Sequence, residues 1–292
     1  MIALLVLAAV PAALVLSLLT AIVVAVRGYT AATPAVVGPP PAGLGARTVA
    51  VPCGTHALAG WFAPGRPGGG AVLLLHGIRS DRRVLASRMA MLARRGAAVL
   101  AVDLRAHGES GGASVTLGLR EAEDVAACLA WLRHQCPGER VGGLGISLGG
   151  AALALASRTA PVDALVLESV FAAIDGAIRN RMALVAGAAA PWLTPLFTAV
   201  GMGMTGLHPA DLRPIEALRA YPGPVLVIGG GADPLTPPSE TRALCDAAPG
   251  DRQLWIVEGA GHVDMASFAG SDYEGRVAAF LALHLGQMIP CA

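Results

Sequence analysis

The chain has 292 residues, 54% of them hydrophobic and 14% charged, and its 21 basic and 20 acidic side chains leave a formal net charge of +1. That balance gives no electrostatic case for a nucleic-acid partner. Every basic side chain apart from histidine is arginine, which excludes Ser–Lys dyads, Schiff-base lysines and phosphate-loop lysines and leaves histidine as the base for any nucleophile.

Residues 1–26 carry no charged side chain. As a helix they would run about 39 Å, more than the roughly 30 Å of a hydrocarbon core, and Pro11 is tolerable in a membrane helix. A cleaved signal peptide would need a basic n-region and a shorter apolar stretch. Residues 1–27 are therefore expected to be a single-pass transmembrane anchor. Arg27 is the only charge before Arg47, and the positive-inside rule then leans towards a cytoplasmic body. Residues 28–46, with Pro34, Pro39, Pro40 and Pro41, read as a semi-extended tether.

From residue 47 to 292 the chain alternates strand-like and helix-like segments, the pattern of a mostly parallel sheet flanked by helices. Thr48–Pro52 and Ala57–Phe62 look like a leading hairpin. Core strands are expected at Ala71–Leu75, Ala98–Asp103, Val141–Leu144, Ala164–Leu167, Val225–Ile228 and Leu254–Val257, eight strands in all. Leu119, Ala122, Val125, Leu129 and Leu132 recur every three or four residues and predict a helix with one apolar face. Arg82–Arg94, Ser239–Ala247 and Tyr273–Leu285 also read as helices. The cysteines Cys53, Cys128, Cys136, Cys245 and Cys291 have no C-x-x-C spacing and read as small buried hydrophobes rather than a zinc site or disulfide framework. The histidines show no ligand spacing, so no metal and no cofactor is implied.

Ser147 lies in Gly145-Ile146-Ser147-Leu148-Gly149, directly after the apolar run Val141–Leu144. The motif is short and the chain holds 37 glycines, so its weight comes from context. A strand leads in, a slim helix beginning Gly149-Gly150-Ala151-Ala152 leads out, and glycines let the two backbones close around the turn and push the hydroxyl outward. Asp233 and His262 follow at the ends of later strand-like runs, in the order Ser, Asp, His. Glu168 and Asp264 compete with Asp233 as the acid. In a parallel sheet, ligands gather at the carboxyl ends of the strands, where all these residues fall.

Leu75-His76-Gly77-Ile78 and Asp103-Leu104-Arg105-Ala106-His107-Gly108-Glu109-Ser110 add two more loops at that edge. With these motifs, the chain between Arg47 and Leu285 resembles the α/β-hydrolase superfamily, particularly membrane-anchored bacterial serine hydrolases of the acylaminoacyl-peptidase-like and lipase-like branches. Ala106 departs from the usual glycine of the second loop. The resemblance implies an α/β-hydrolase fold and a Ser147–His262–Asp233 triad. It also implies an oxyanion hole made by the backbone N–H groups of Ile78 and Leu148. His76 and His107 read as loop-shaping residues.

The resemblance places a short apolar cap insertion at about residues 171–220, within which Met182 to Leu207 carries no charge. Trp192, Leu193, Leu196, Phe197, Val200 and Met202 are expected to line or shield an acyl-binding surface. The function expected is cleavage of carboxylic esters or thioesters, with a small-molecule or lipid-like hydrophobic ester as substrate and the membrane as a partner through residues 1–26. A serine peptidase of the acylaminoacyl type and a non-catalytic binding protein on the same fold are the alternatives.

Overall fold

Runs in which nearly every residue is apolar can be buried on both faces, which suits the inner strands of a parallel sheet. The computed structural model describes residues 2–286 and 288, residues 2–11 by backbone alone. In it, Arg47–Cys53 (β1) and His56–Ala63 (β2) form an antiparallel hairpin, and β2 pairs antiparallel with Ala98–Val102 (β4). Ala71–Leu75 (β3), β4, Val141–Ile146 (β5), Ala164–Glu168 (β6), Val225–Gly230 (β7) and Arg252–Val257 (β8) run parallel, in the sheet order β1-β2-β4-β3-β5-β6-β7-β8. Each expected strand is present with its ends displaced by no more than two residues. β5, β6 and β7 run on through Ile146, Glu168 and Gly230 to the carboxyl edge.

Nine helices are described: Ile2–Thr30 (α1), Ala86–Arg94 (α2), Leu119–Gln135 (α3), Leu148–Ala156 (α4), Ile174–Ala186 (α5), Ala190–Thr205 (α6), Pro214–Arg219 (α7), Pro238–Ala247 (α8) and Met265–Leu285 (α9). Two apolar clusters lie on opposite faces of the sheet. Val125, Leu129 and Leu132 of α3 join α4 and Leu244 of α8 in one, while Met89 and Leu92 of α2 join Val277, Phe280 and Leu281 of α9 in the other. Cys53, Cys128 and Cys245 are buried as free thiols; Cys291 lies outside the described residues.

Two helical expectations shift, and the insertion after β6 proves helical. The segment expected to be one helix from Arg82 starts as a 3-10 turn over Arg82–Leu85, because Asp81 caps it by accepting a hydrogen bond from the Arg83 amide at 3.0 Å. The last helix begins eight residues before Tyr273, bending at Gly270 where φ is +52°. The region after β6 folds into the paired helices α5 and α6, and α6 continues through Pro195.

Residues 28–46 are stitched to the body. Thr33–Pro34 pairs parallel with His107–Gly108, Glu109 accepts from the amides of Val37 (3.0 Å) and Gly38 (3.2 Å), and the Trp61 indole donates to the Gly38 carbonyl at 3.0 Å.

The junction of β5 and α4 leaves no room for a side chain. A Cβ on Gly145 would stand 2.5 Å from the Gly150 backbone, and one on Gly150 would stand 2.3 Å from Val170 Cγ2. Gly145→Ala is expected to lower the unfolding free energy by about 1–3 kcal/mol, read as a lower urea midpoint, and an unchanged midpoint would contradict this packing.

Candidate active site

Ser147 sits between the last residue of β5 and the first of α4 with φ +48° and ψ −109°. A side chain in that region costs of order 1–3 kcal/mol and persists only where the surroundings dictate it. The surroundings do so here. A Cβ on Gly149 would come within 2.6 Å of the His76 carbonyl, so the strand and helix close around the turn only because glycine stands there. The Ser147 amide donates to the Glu168 carbonyl at 2.8 Å, and the Ser147 carbonyl accepts from Ala151 at 2.9 Å.

Asp233 lies three residues past β7 and His262 five past β8. His262 Nδ1–H donates to Asp233 Oδ2 at 2.7 Å, which leaves Nε2 as the basic nitrogen. Asp233 is buried, and its oxygens also accept from the Leu235 amide (2.8 Å), the Thr236 amide (3.0 Å) and the Thr236 hydroxyl (2.6 Å). Burial pushes this carboxyl up, but the hydrogen bonds from His262 and Thr236 outweigh it and hold the acid below its ordinary value. Ser147 Oγ makes no hydrogen bond with any described residue, His262 included. The structure thus joins Asp233 to His262 and leaves the serine unbonded, a looseness common in apo sites whose hydrogen bonds tighten when substrate arrives.

The two competing acids are engaged elsewhere. Glu168 is fully buried and accepts from Arg88 at 2.7 and 2.9 Å, from the Tyr273 hydroxyl at 2.8 Å and from the Met265 amide at 3.3 Å. Asp264 faces the same guanidinium at 2.6 Å. No local signal in the sequence shows that Arg88, on α2, arrives at the end of β6.

His76 and His107 are bound to backbone. His76 Nδ1–H donates to the Gly77 carbonyl at 2.7 Å while Nε2 accepts from the Leu104 amide at 2.9 Å, and burial drives its pKa down to about 3, so the ring stays neutral. His107 Nδ1–H donates to the Arg105 carbonyl and its Nε2 accepts from the Arg79 amide. Arg82, buried, bridges Asp103 and Glu109, locking the two loops together. Ala106 takes φ +60°, so this loop holds a left-handed turn without glycine. The amides of Ile78 and Leu148 donate to no other described residue, and both residues line the cavity into which Ser147 opens.

That cavity, about 180 Å³, is roofed by α5 and α6. Of the six residues expected to line it, Phe197 and Met202 do, while Trp192 is 84% exposed and Leu196 is exposed on the outer side. α6 carries no charge to mark an outer face, and its polar stripe of Thr194, Thr198 and Thr205 turns towards the cavity, which Thr198 and Thr205 line, rather than towards solvent. Ile174, Ile178 and Arg181 of α5 line the cavity as well, and so do Ala25, Val26, Tyr29 and Thr30 from the end of α1, residues that no sequence signal linked to the site. Among the described residues, no group of three or more His, Cys, Asp or Glu side chains is placed to hold a metal ion.

The profile of the alpha/beta hydrolase family matches residues 72–279. The uncharacterized protein Rv2307c of Mycobacterium tuberculosis is 34% identical over 211 residues, spanning 71% of this chain and 68% of that protein. The uncharacterized protein YfhR of Salmonella typhi is 28% identical over 251 residues, 80% of this chain and 79% of its own length. Among solved structures, the Pyrococcus furiosus esterase Pf2001 superposes with a TM-score of 0.71 at 24% identity, covering 88% of this chain and 99% of that one. A dienelactone hydrolase from Anabaena variabilis superposes with a TM-score of 0.59 at 20% identity, covering 82% and 98%. At these identities the two structures speak for the fold alone.

Two outcomes follow from the hydrogen bonding. Glu168→Gln weakens a buried ion pair and is expected to cost about 3 kcal/mol of stability in urea unfolding; a loss under about 1 kcal/mol would contradict a structural role. The stability that Asp233 gains from its partners is present above the unfolded aspartate value, near 3.8, and is lost as pH falls through the lower folded value. Asp233→Asn should therefore flatten the acid limb of the stability curve below about pH 4, and an identical limb would show that the bonds contribute nothing.

Proposed function

The chain belongs to the alpha/beta hydrolase family, and on that premise we propose that it is a serine esterase acting on hydrophobic acyl esters, anchored in a membrane by α1. Ser147 Oγ attacks the ester carbonyl carbon while His262 Nε2 takes its proton. Asp233 holds the imidazole in the Nδ1–H tautomer and stabilises the imidazolium that forms. The oxyanion is received by the amides of Ile78 and Leu148. His262 then passes the proton to the departing alcohol, leaving an acyl-enzyme at Ser147. Water, deprotonated by the same nitrogen, attacks that acyl carbon and releases the carboxylic acid with Ser147 restored.

The observation that carries this reading is the opening of the strained Ser147 into an apolar cavity that Ile78 and Leu148, whose amides have no hydrogen-bond partner among the described residues, also line. Donors already aimed at a site need no reorganisation during reaction, and the loss of one such donor typically costs about 10²- to 10³-fold in rate. The cavity walls favour an aliphatic acyl group over a polar one, with Arg181 as the one charged lining residue. Support for the anchor comes from Ala12–Thr30, 19 residues with a mean hydropathy of 2.0.

Ser147→Ala is expected to lower kcat on p-nitrophenyl butyrate by at least about 10⁴-fold, and Asp233→Asn by about 10⁴-fold. On the wild type, kcat/KM should rise about fourfold per added methylene from acetate upward until the cavity is filled, the equivalent of about 0.8 kcal/mol per buried CH₂. Retention of activity by Ser147→Ala, or a profile that peaks at acetate, would contradict the proposal.

A further inference from the structure

α1 is 29 residues long, about 43 Å, and its side chains meet the body near one end. Ile22 and Val26, one helical turn apart, are buried, whereas Leu14, Val15, Leu16 and Val24 are exposed. Val26 lies over α6, where a Cβ on Gly201 would sit 3.5 Å from Val26 Cγ2. Twenty helical residues, 2–21, extend about 30 Å, the thickness of a hydrocarbon core. If those residues cross a bilayer, Ile22–Thr30 lie at its boundary, and so does the helix against which they pack.

α6 and its partner suit that place. The only charged residues of α5 and α6 are Asp175, Arg179 and Arg181, all within the first eight residues of α5, and Met182 to Thr205 is charge-free. Leu184 and Trp192 are exposed on this pair, Trp192 to 84%, and the equally exposed Val185 stands at the mouth of the cavity, which it also lines. An exposed apolar surface of this kind, continuous with a helix of membrane length, has a natural occupant in lipid. The cavity above Ser147 is walled towards α1 by Val26 and Tyr29 and towards α6 by Phe197, Gly201 and Met202. The seam between the two helices therefore separates the nucleophile's cavity from the place where lipid would lie.

We propose that α5, α6 and the last turns of α1 form one bilayer-docking surface, and that an acyl-ester lipid crosses the α1–α6 seam from the membrane into the cavity over Ser147. The inference rests on the reading of the chain as a membrane-anchored esterase and adds the route and the physical state of its substrate. It also gives the end of α1 a second role, as part of the wall that selects the acyl chain.

The test uses the full chain reconstituted into phosphatidylcholine vesicles with either brominated or unbrominated acyl chains. The fluorescence difference between wild type and Trp192→Phe isolates Trp192 from Trp61, Trp131 and Trp255. Bromolipid is expected to remove at least about half of the Trp192 signal, because bromine quenches only fluorophores that reach the acyl region. Equal signals in the two lipids, from protein that still floats with the vesicles, would overturn the docking. In a second arm, Val26→Trp is expected to lower the rate on vesicle-borne p-nitrophenyl dodecanoate relative to soluble p-nitrophenyl acetate by about tenfold or more, the scale of a lost apolar contact. An unchanged ratio would overturn the route through the seam. Wild-type protein that cleaves no acetate ester would instead overturn the esterase reading, and wild-type protein that does not float would overturn the anchor.

Discussion

The site depends on one backbone conformation, the left-handed turn at Ser147, and on what prevents it from relaxing. Glycines at 145, 149 and 150 leave no space for an alternative path, and the Glu168 carbonyl takes the Ser147 amide. Glu168 then does more than end a strand. Its backbone fixes the serine turn while its carboxylate receives Arg88, Tyr273 and the Met265 amide, three residues beyond His262. One residue thus ties the elbow to the loop that carries the histidine. Burying charges in this way is costly unless every lone pair is occupied, and the four hydrogen bonds received by Glu168 provide that occupation.

The strands were legible because inner strands of a parallel sheet are written as unbroken apolar runs, and Ala71–Leu75 or Ala164–Leu167 admit few other readings. The tight turn at Ser147 and the pairing of Asp233 with His262 were legible because glycines surround the serine and the other two residues close later strand-like runs. Glu168 was ambiguous from sequence, since it occupies a plausible position for a triad acid. Arg88 decides the matter from eighty residues upstream, a distance at which local patterns carry no information. The exposure of Trp192 and Leu196 was illegible for another reason: α6 has no charge to mark its solvent side, and its threonine stripe, which alternation of polarity would turn outward, faces the cavity instead.

The same lack of charge links α6 to α1. A helix that water would cover on one side usually carries charge there, and α6 carries none. Its contact with α1 brings together beside the cavity two helices that carry a single charge between them, Arg27, while the charged residues Asp103, Glu109 and Arg82 lie in the loops that brace the elbow. The stitching of residues 31–38 to the loop at His107–Glu109 extends the brace, fixing the end of α1 with respect to the sheet. In this arrangement the position of α1 and the shape of the cavity beside Ser147 are set together.

The central claim is that Ser147 is a nucleophile activated by the His262–Asp233 pair. Incubation of the full chain with a fluorophosphonate, followed by proteolysis and mass spectrometry, tests it at the atom concerned. One adduct is expected, on the peptide containing Ser147, formed at least about 10³-fold more slowly when His262 is replaced by alanine. No adduct on the wild type, or an adduct on any other serine, would contradict it.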